Sequence, residues 1–78
     1  METEKLIQMA NQIGAYFAAE PDTEAGRASV AQHLAKFWAP PMRRALVEHF
    51  DAHGDAGMTP IVGEALKAHR QVLLGKGH

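Results

Sequence analysis

The chain has 78 residues, with eight basic and nine acidic side chains, a net charge of −1 and no cysteine. This length allows one domain, the balanced charge lacks the basic stripe of a nucleic-acid binder, and the absence of cysteine excludes disulfides and thiolate metal sites. No signal-peptide pattern opens the chain and no apolar run reaches the ~18 residues of a membrane span, so we expect a cytoplasmic protein that binds neither nucleic acid nor membranes.

The first predicted helix covers about residues 3–19. Its apolar side chains recur within an arc of ~120°, which predicts one face turned toward a core. The members of that face are Leu6, Met9, Ala10, Ile13, Tyr16 and Phe17. Gln8, Asn11 and Ala15 lie on the opposite side. Pro21 ends the helix, because the residue before a proline is restricted to extended geometry.

The second predicted helix covers about residues 23–38. Asp22 precedes it and is expected to cap its first turn through the side-chain carboxylate. The predicted core face has Val30, Leu34 and Phe37 at its centre, with Ala31, His33 and Trp38 at its edges. The helix ends before Pro40 and Pro41, because two successive amide donors are missing there.

The third and fourth predicted helices cover about residues 41–53 and 60–73. A glycine-rich loop separates them, and Thr59 with Pro60 is typical of a capped helix start. The predicted core residues of the third helix are Met42, Ala45, Leu46, His49, Phe50 and His53. Those of the fourth are Ile61, Val62, Ala65, Leu66, His69, Val72 and Leu73. Residues 75–78 form a tail.

No segment alternates with the period of a strand for long enough to form one. Short connections between helices favour neighbours that pack side by side. The sequence therefore predicts an all-α fold, a small four-helix bundle-like domain that takes in residues 1–78.

The residues offer no constellation for catalysis or for holding a cofactor or metal. His49 and His53 stand four apart and could reach one metal, but Glu48 and Asp51 fall on the opposite face, so packing or surface histidines are the favoured interpretation. The acidic residues lie on solvated faces, whereas a catalytic carboxylate would lie in an apolar pocket. The glycines form no phosphate-binding loop.

Three features point instead to contact with another chain. Arg43 and Arg44 carry positive charge at the start of a helix, where the helix dipole is unfavourable; they are either solvated or paired with a partner. Trp38 stands at a proline corner and either closes the core or anchors an interface. Amide side chains in the first helix have no evident local task. The candidate partner-binding residues are Gln8, Asn11, Gln12, Trp38, Met42 and Arg43.

Two stretches also carry a family resemblance. They are Lys5-Leu-Ile-Gln-Met-Ala-Asn-Gln-Ile-Gly-Ala-Tyr-Phe17 and Phe37-Trp-Ala-Pro-Pro-Met-Arg43, the latter preceded by His33. From about residue 5 to about residue 60 the chain resembles the delta subunit of NAD-dependent formate dehydrogenase. That family typically reads Lys-Leu-x-x-Met-Ala-Asn-Gln-Ile-x-x-Phe-Phe, then His-x-x-x-Phe-Trp and Asp-Pro-Arg-Met-Arg. Ala39 and Pro41 depart from it, replacing Asp and Arg.

The resemblance implies a non-catalytic accessory subunit of a cytoplasmic, molybdenum-containing enzyme complex. Its implied partner is the alpha subunit, which carries the molybdenum cofactor and iron–sulfur clusters, while other subunits carry flavin and further clusters toward NAD. The implied role is to aid assembly, stability or cofactor insertion of the alpha subunit. The chain itself is expected to hold no cofactor.

Two alternatives remain open from the residues alone. One is a free-standing helical regulator that binds DNA or a small ligand, although the basic residues are scattered over all the predicted helices. The other is a self-associating module, most simply a homodimer, because 46% of so small a chain is hydrophobic and a domain of this size buries only roughly 60% of its surface.

Overall fold

A computed structural model describes residues 2–75, and within them the chain is all-α, which confirms the predicted fold class. The helices are α1 (Thr3–Phe17), α2 (Thr23–Phe37), α3 (Pro40–His53), α4 (Pro60–Ala68) and α5 (Arg70–Leu73). They form a small bundle of 31 × 28 × 20 Å. Among the described residues, no helix is both long and apolar enough to cross a membrane. Most of the predicted tail, residues 76–78, lies outside the described part.

Two predicted helix caps have different outcomes. The cap at Asp22 is confirmed, because its carboxylate accepts hydrogen bonds from the N–H groups of Glu24 and Ala25, at 3.0 and 3.2 Å. The side-chain cap at Thr59 is wrong, because its hydroxyl makes no such bond. Instead, the backbone N–H of Thr59 donates to Asn11 Oδ1 at 3.0 Å, so a side chain of α1 holds the start of α4.

The fourth predicted helix is interrupted at His69, whose φ of −122° and ψ of 34° are not helical. The Nε2 atom of His69 lies 3.1 Å from Glu24 Oε2 on α2. Arg70 donates two hydrogen bonds to Asp51 on α3, at 2.7 and 2.5 Å, and this guanidinium holds the pKa of Asp51 below its usual value. The two contacts tie the short helix α5 to α2 and α3, which leaves Leu73 buried in the core.

The core draws on all five helices. Its buried apolar residues are Leu6, Ile7, Ala10, Val30, Ala31, Leu34, Trp38, Leu46, Val47, Val62, Ala65, Leu66 and Leu73. The predicted core positions of α2 and α4 largely hold, but Phe37 and Val72 are exposed. On α3 the prediction of a core position is wrong for His53, which is exposed, and Val47 is buried in addition. Phe37 and His53 are the last residues of their helices, and Val72 lies one residue before the end of α5, where a face has fewer neighbours to pack against.

The predicted face of α1 is wrong in its rotation. The apolar pattern predicts Met9 and Tyr16 in the core, but their side chains are 37% and 78% exposed. Ile7 and Gly14 are buried instead. Leu6 and Ala10 are buried as predicted, and Ile13 and Phe17 are only partly so. At 100° per residue the buried arc is turned by about 70° from the predicted one.

Gly14 explains this rotation. A Cβ atom at this position would lie 2.8 Å from Val62 Cγ2 and 2.9 Å from Ile61 Cγ2, closer than side-chain carbons approach. The backbone of α1 therefore lies directly against α4, and only a residue without a side chain allows that approach. Because Gly14 faces α4, Tyr16 is turned away from the core, since residues two apart on a helix are separated by about 200°.

Gly14→Ala should lower the free energy of unfolding by about 1–3 kcal/mol, because the added methyl group overpacks the contact between α1 and α4. Helix propensity alone predicts the opposite change, an increase of about 1 kcal/mol in the free energy of unfolding. Urea unfolding decides between them. Ala15→Gly, an exposed neighbour, serves as the control and should lose only about 0.5–1 kcal/mol through propensity. A Gly14→Ala protein more stable than the parent would contradict the close approach.

Candidate interaction surface

Four rings form a continuous line over the outer surface of α1 and α2, which we call the aromatic row: Tyr16, Phe17, His33 and Phe37. The ring centroids of Tyr16 and Phe17 are 5.0 Å apart, and the rings meet edge to face at 85°. Phe17 and His33 are 6.0 Å apart, and His33 and Phe37 are 4.7 Å apart. These separations are those of favourable aromatic pairs, so each ring helps to fix the position of the next.

The aromatic row is open to solvent at both ends. Tyr16 is 78% exposed and Phe37 67% exposed, and Met9 adds further apolar surface one turn before Ile13 on α1. The Lys36 ammonium lies 5.9 Å from the centre of the Phe37 ring, within the range of a cation–π contact. Exposed aromatic side chains in a contiguous group are typical of protein–protein contact surfaces.

Sequence reasoning missed this surface because it assigned Tyr16 and Phe37 to the core. Both residues lie near the apolar stripe of their helices, and periodicity does not distinguish a stripe that is covered by the same chain from one that is covered by another. A signal was present in the spacing of Ala10 and Gly14, since small residues four apart on a helix mark a close approach of another backbone.

The predicted partner-binding residues of the α2–α3 corner are mostly inside the protein. Trp38 is only 7% exposed, so its ring closes the core. Met42 is half-buried against the same core. Arg43 is half-buried beside Leu73 and Leu74, and its Nε atom is buried with no hydrogen-bond partner among residues 2–75. Arg43 is therefore the member of this group with an unused hydrogen-bond donor.

The three amide residues of α1 are separated by the structure. Gln12 is exposed and borders a shallow cleft with Ile13 and the aromatic row. Gln8 is exposed on another side. Asn11 is partly buried, and its amide forms hydrogen bonds within the chain: its Nδ2 donates to Gly57 O at 2.9 Å, and its Oδ1 accepts from the N–H of Thr59.

The two histidines that stand four apart lie side by side on α3. The ring centroids of His49 and His53 are 4.8 Å apart, with the rings tilted by 41°, and both residues line a cleft with Gln8 and Glu4. Within the described residues, no group of three or more histidine and acidic side chains is placed to hold a metal ion.

Asn11→Ala should lower the free energy of unfolding by about 1–3 kcal/mol, because two hydrogen bonds of about 0.5–1.5 kcal/mol each are lost. These bonds hold the loop between α3 and α4, whose Gly54 and Gly57 have φ values of 72° and 81°. Gln12→Ala, an exposed amide one residue further on, is the matched control and should leave the unfolding midpoint unchanged. Equal midpoints for the two variants would show that Asn11 does not bind the loop.

Comparison with known proteins adds one match. The family model described as NADH-dependent formate dehydrogenase delta subunit FdsD matches residues 5–66. The matched segment contains the aromatic row, the α2–α3 corner and the Asn11 contact with the loop, and it ends within α4. No curated protein matches the chain significantly. The search of solved structures likewise finds no significant match.

Proposed function

The chain belongs to the delta-subunit family of NADH-dependent formate dehydrogenases, and from this premise we propose that it is a non-catalytic accessory subunit of a cytoplasmic, molybdenum-containing formate dehydrogenase. In this proposal it binds the catalytic alpha subunit and aids its assembly, its stability or the insertion of its cofactor. The single structural observation that supports a binding role is the exposed aromatic row.

The energetics of the aromatic row favour burial against another chain. Each large apolar side chain moved from water into a packed interface contributes about 1.5–3 kcal/mol. The rings lie on two helices and contact one another, so little side-chain freedom remains to be lost when a partner binds. We propose that Tyr16 and Phe37 are the main contact residues, with Gln12 at their edge.

Arg43 provides a proposed second contact at the α2–α3 corner. The Arg43 side chain is only half-buried, and its guanidinium group suits paired recognition of a carboxylate. Trp38 and Met42 would support this contact from inside the core by fixing the backbone from which Arg43 extends. An acidic side chain of the alpha subunit is the proposed counterpart.

The chemistry is proposed to reside in the other subunits. The chain has no cysteine with which to hold an iron–sulfur cluster. Its described carboxylates are all exposed, whereas a catalytic acid or base would be buried in an apolar environment. In the complex, the molybdenum centre, the clusters and the flavin would then belong to other chains, and this chain would supply binding surface.

A second candidate function, self-association without a redox partner, is favoured by the same exposed rings. Two copies could bury the aromatic row against each other across a two-fold axis, as in most small homo-oligomers. Light scattering of the chain, alone and mixed with the alpha subunit, distinguishes the two. If the chain keeps the mass of a dimer in the mixture and no mixed complex forms, self-association is favoured over the accessory role.

Tyr16→Ala and Phe37→Ala should each weaken capture of the alpha subunit by about tenfold or more, which corresponds to about 1.4 kcal/mol. Both side chains are largely exposed, so the melting temperature should change little. His53→Ala, which removes an exposed ring from α3, is the matched control and should bind as the parent does. If both variants capture the alpha subunit as well as the parent does, the contact lies elsewhere, and Arg43 is the next residue to test.

The accessory role itself is tested in cells that make the other subunits without this chain. The enzyme purified from them should show less formate oxidation and less bound molybdenum, and the parent chain should restore both more fully than Tyr16→Ala does. Full activity and full molybdenum content without the chain would contradict an accessory role.

A further inference from the structure

A second surface feature lies on the other side of Phe17 from the cleft at Gln12. It is an apolar groove of about 330 Å³ between the end of α1 and the starts of α2 and α4. Gly14 and Gly26, which carry no side chain, line it, and Ile61 forms part of its wall. The volume is at the low end of the range for binding pockets. We call this the glycine groove.

The rim of the glycine groove is acidic. Glu20 and Glu64 line it, and Asp22 and Glu24 follow Glu20 in the chain. Arg27 is already engaged, at 3.0 Å from both Glu24 and Glu64. Glu20 has no ion-pair partner among residues 2–75; its carboxylate only accepts a long hydrogen bond, of 3.5 Å, from the N–H of Asp22. The rim thus has an unneutralised negative charge beside an apolar floor.

The glycine groove also contains a polar group without a partner. The hydroxyl oxygen of Thr59 is buried and makes no hydrogen bond within the described residues, and Thr59 lines the groove. A buried hydroxyl is more stable when it is hydrogen-bonded. The oxygen is itself closed off from the surface, so a bound segment would contact the apolar floor and the acidic rim and not this hydroxyl.

We propose that the glycine groove receives one apolar side chain from a basic segment of the alpha subunit, with a lysine or arginine next to it paired to Glu20. The inference rests on the proposed function and adds the chemistry of the segment that is bound. Two complementary features define that segment: an apolar anchor for the groove, and a positive charge for the rim. The same rim repels acidic segments and anionic lipid surfaces, so it selects among partners as well as attracting one.

Peptides of opposite charge test the groove on the isolated chain. The probes are acetyl-Ala-Lys-Leu-Lys-Ala-amide, its glutamate analogue with the same central leucine, and its alanine-centred analogue with the same lysines. In ¹⁵N-edited NMR spectra, the first peptide should move the amide signals of Gly14 and Gly26 more than either of the others. Shifts of equal size with the lysine and glutamate peptides, or no shift with any of them, would overturn the proposal.

Capture of the alpha subunit tests the groove in the complex. Ala18→Phe places a ring in the groove from an exposed position on its rim, and Glu20→Lys reverses the charge that the proposal uses. Each should weaken capture by about tenfold. Ala52→Phe, which adds the same ring to an exposed position on α3, should bind as the parent does. Circular dichroism confirms that all three variants fold.

The outcomes separate the two proposals. If the parent captures the alpha subunit and both groove variants do so equally well, the groove does not bind the partner, although the accessory role stands. If the parent itself captures no alpha subunit, the proposed function fails and the groove proposal fails with it. Loss of capture in Ala18→Phe and Glu20→Lys, with capture kept in Ala52→Phe, supports the groove as a docking site.

Discussion

The close approach of α1 to α4 at Gly14 is the contact on which the rest of the structure depends. It sets the rotation of α1, because any side chain at this position would collide with Ile61 and Val62. That rotation places Leu6 and Ala10 in the core and turns Tyr16 outward. Gly14 also lines the glycine groove. One missing side chain thus shapes both the core and the surface that we propose for binding.

The helices could be predicted from the sequence because local chemistry determines where each begins and ends. Asp22 caps α2, prolines begin α3 and α4, and glycines form the loop between them. The rotation of α1 could not be predicted from periodicity, since it depends on a contact with α4 some fifty residues away. The interruption at His69 has a similar origin, because its side chain contacts Glu24 of α2. The hydrogen bonds of Asn11 could not be predicted either, because its partners Gly57 and Thr59 lie 46 and 48 residues away in the chain.

The candidate surface was predictable only in part. The sequence singles out the motif around Trp38 and Arg43, but the structure buries the tryptophan and leaves the arginine half-buried. Tyr16 and Phe37 were overlooked because an apolar residue near a helical stripe is assigned to the core by default. In the accessory role that we propose, one part of the stripe packs in the core of this chain and the other part contacts the partner. Phe17 belongs to the aromatic row and also lines the glycine groove, so the two features form one continuous area beside α1.

Tyr16 is the only tyrosine in the chain, so a single fluorine label tests whether this area is open in the free protein and covered in the complex. With 3-fluorotyrosine incorporated, the ¹⁹F resonance should shift when H₂O is replaced by D₂O in the isolated chain, because the ring is exposed. In the complex with the alpha subunit, that solvent shift should be lost. A ring that shows no solvent shift in the free chain, or the same shift in both states, would contradict the account.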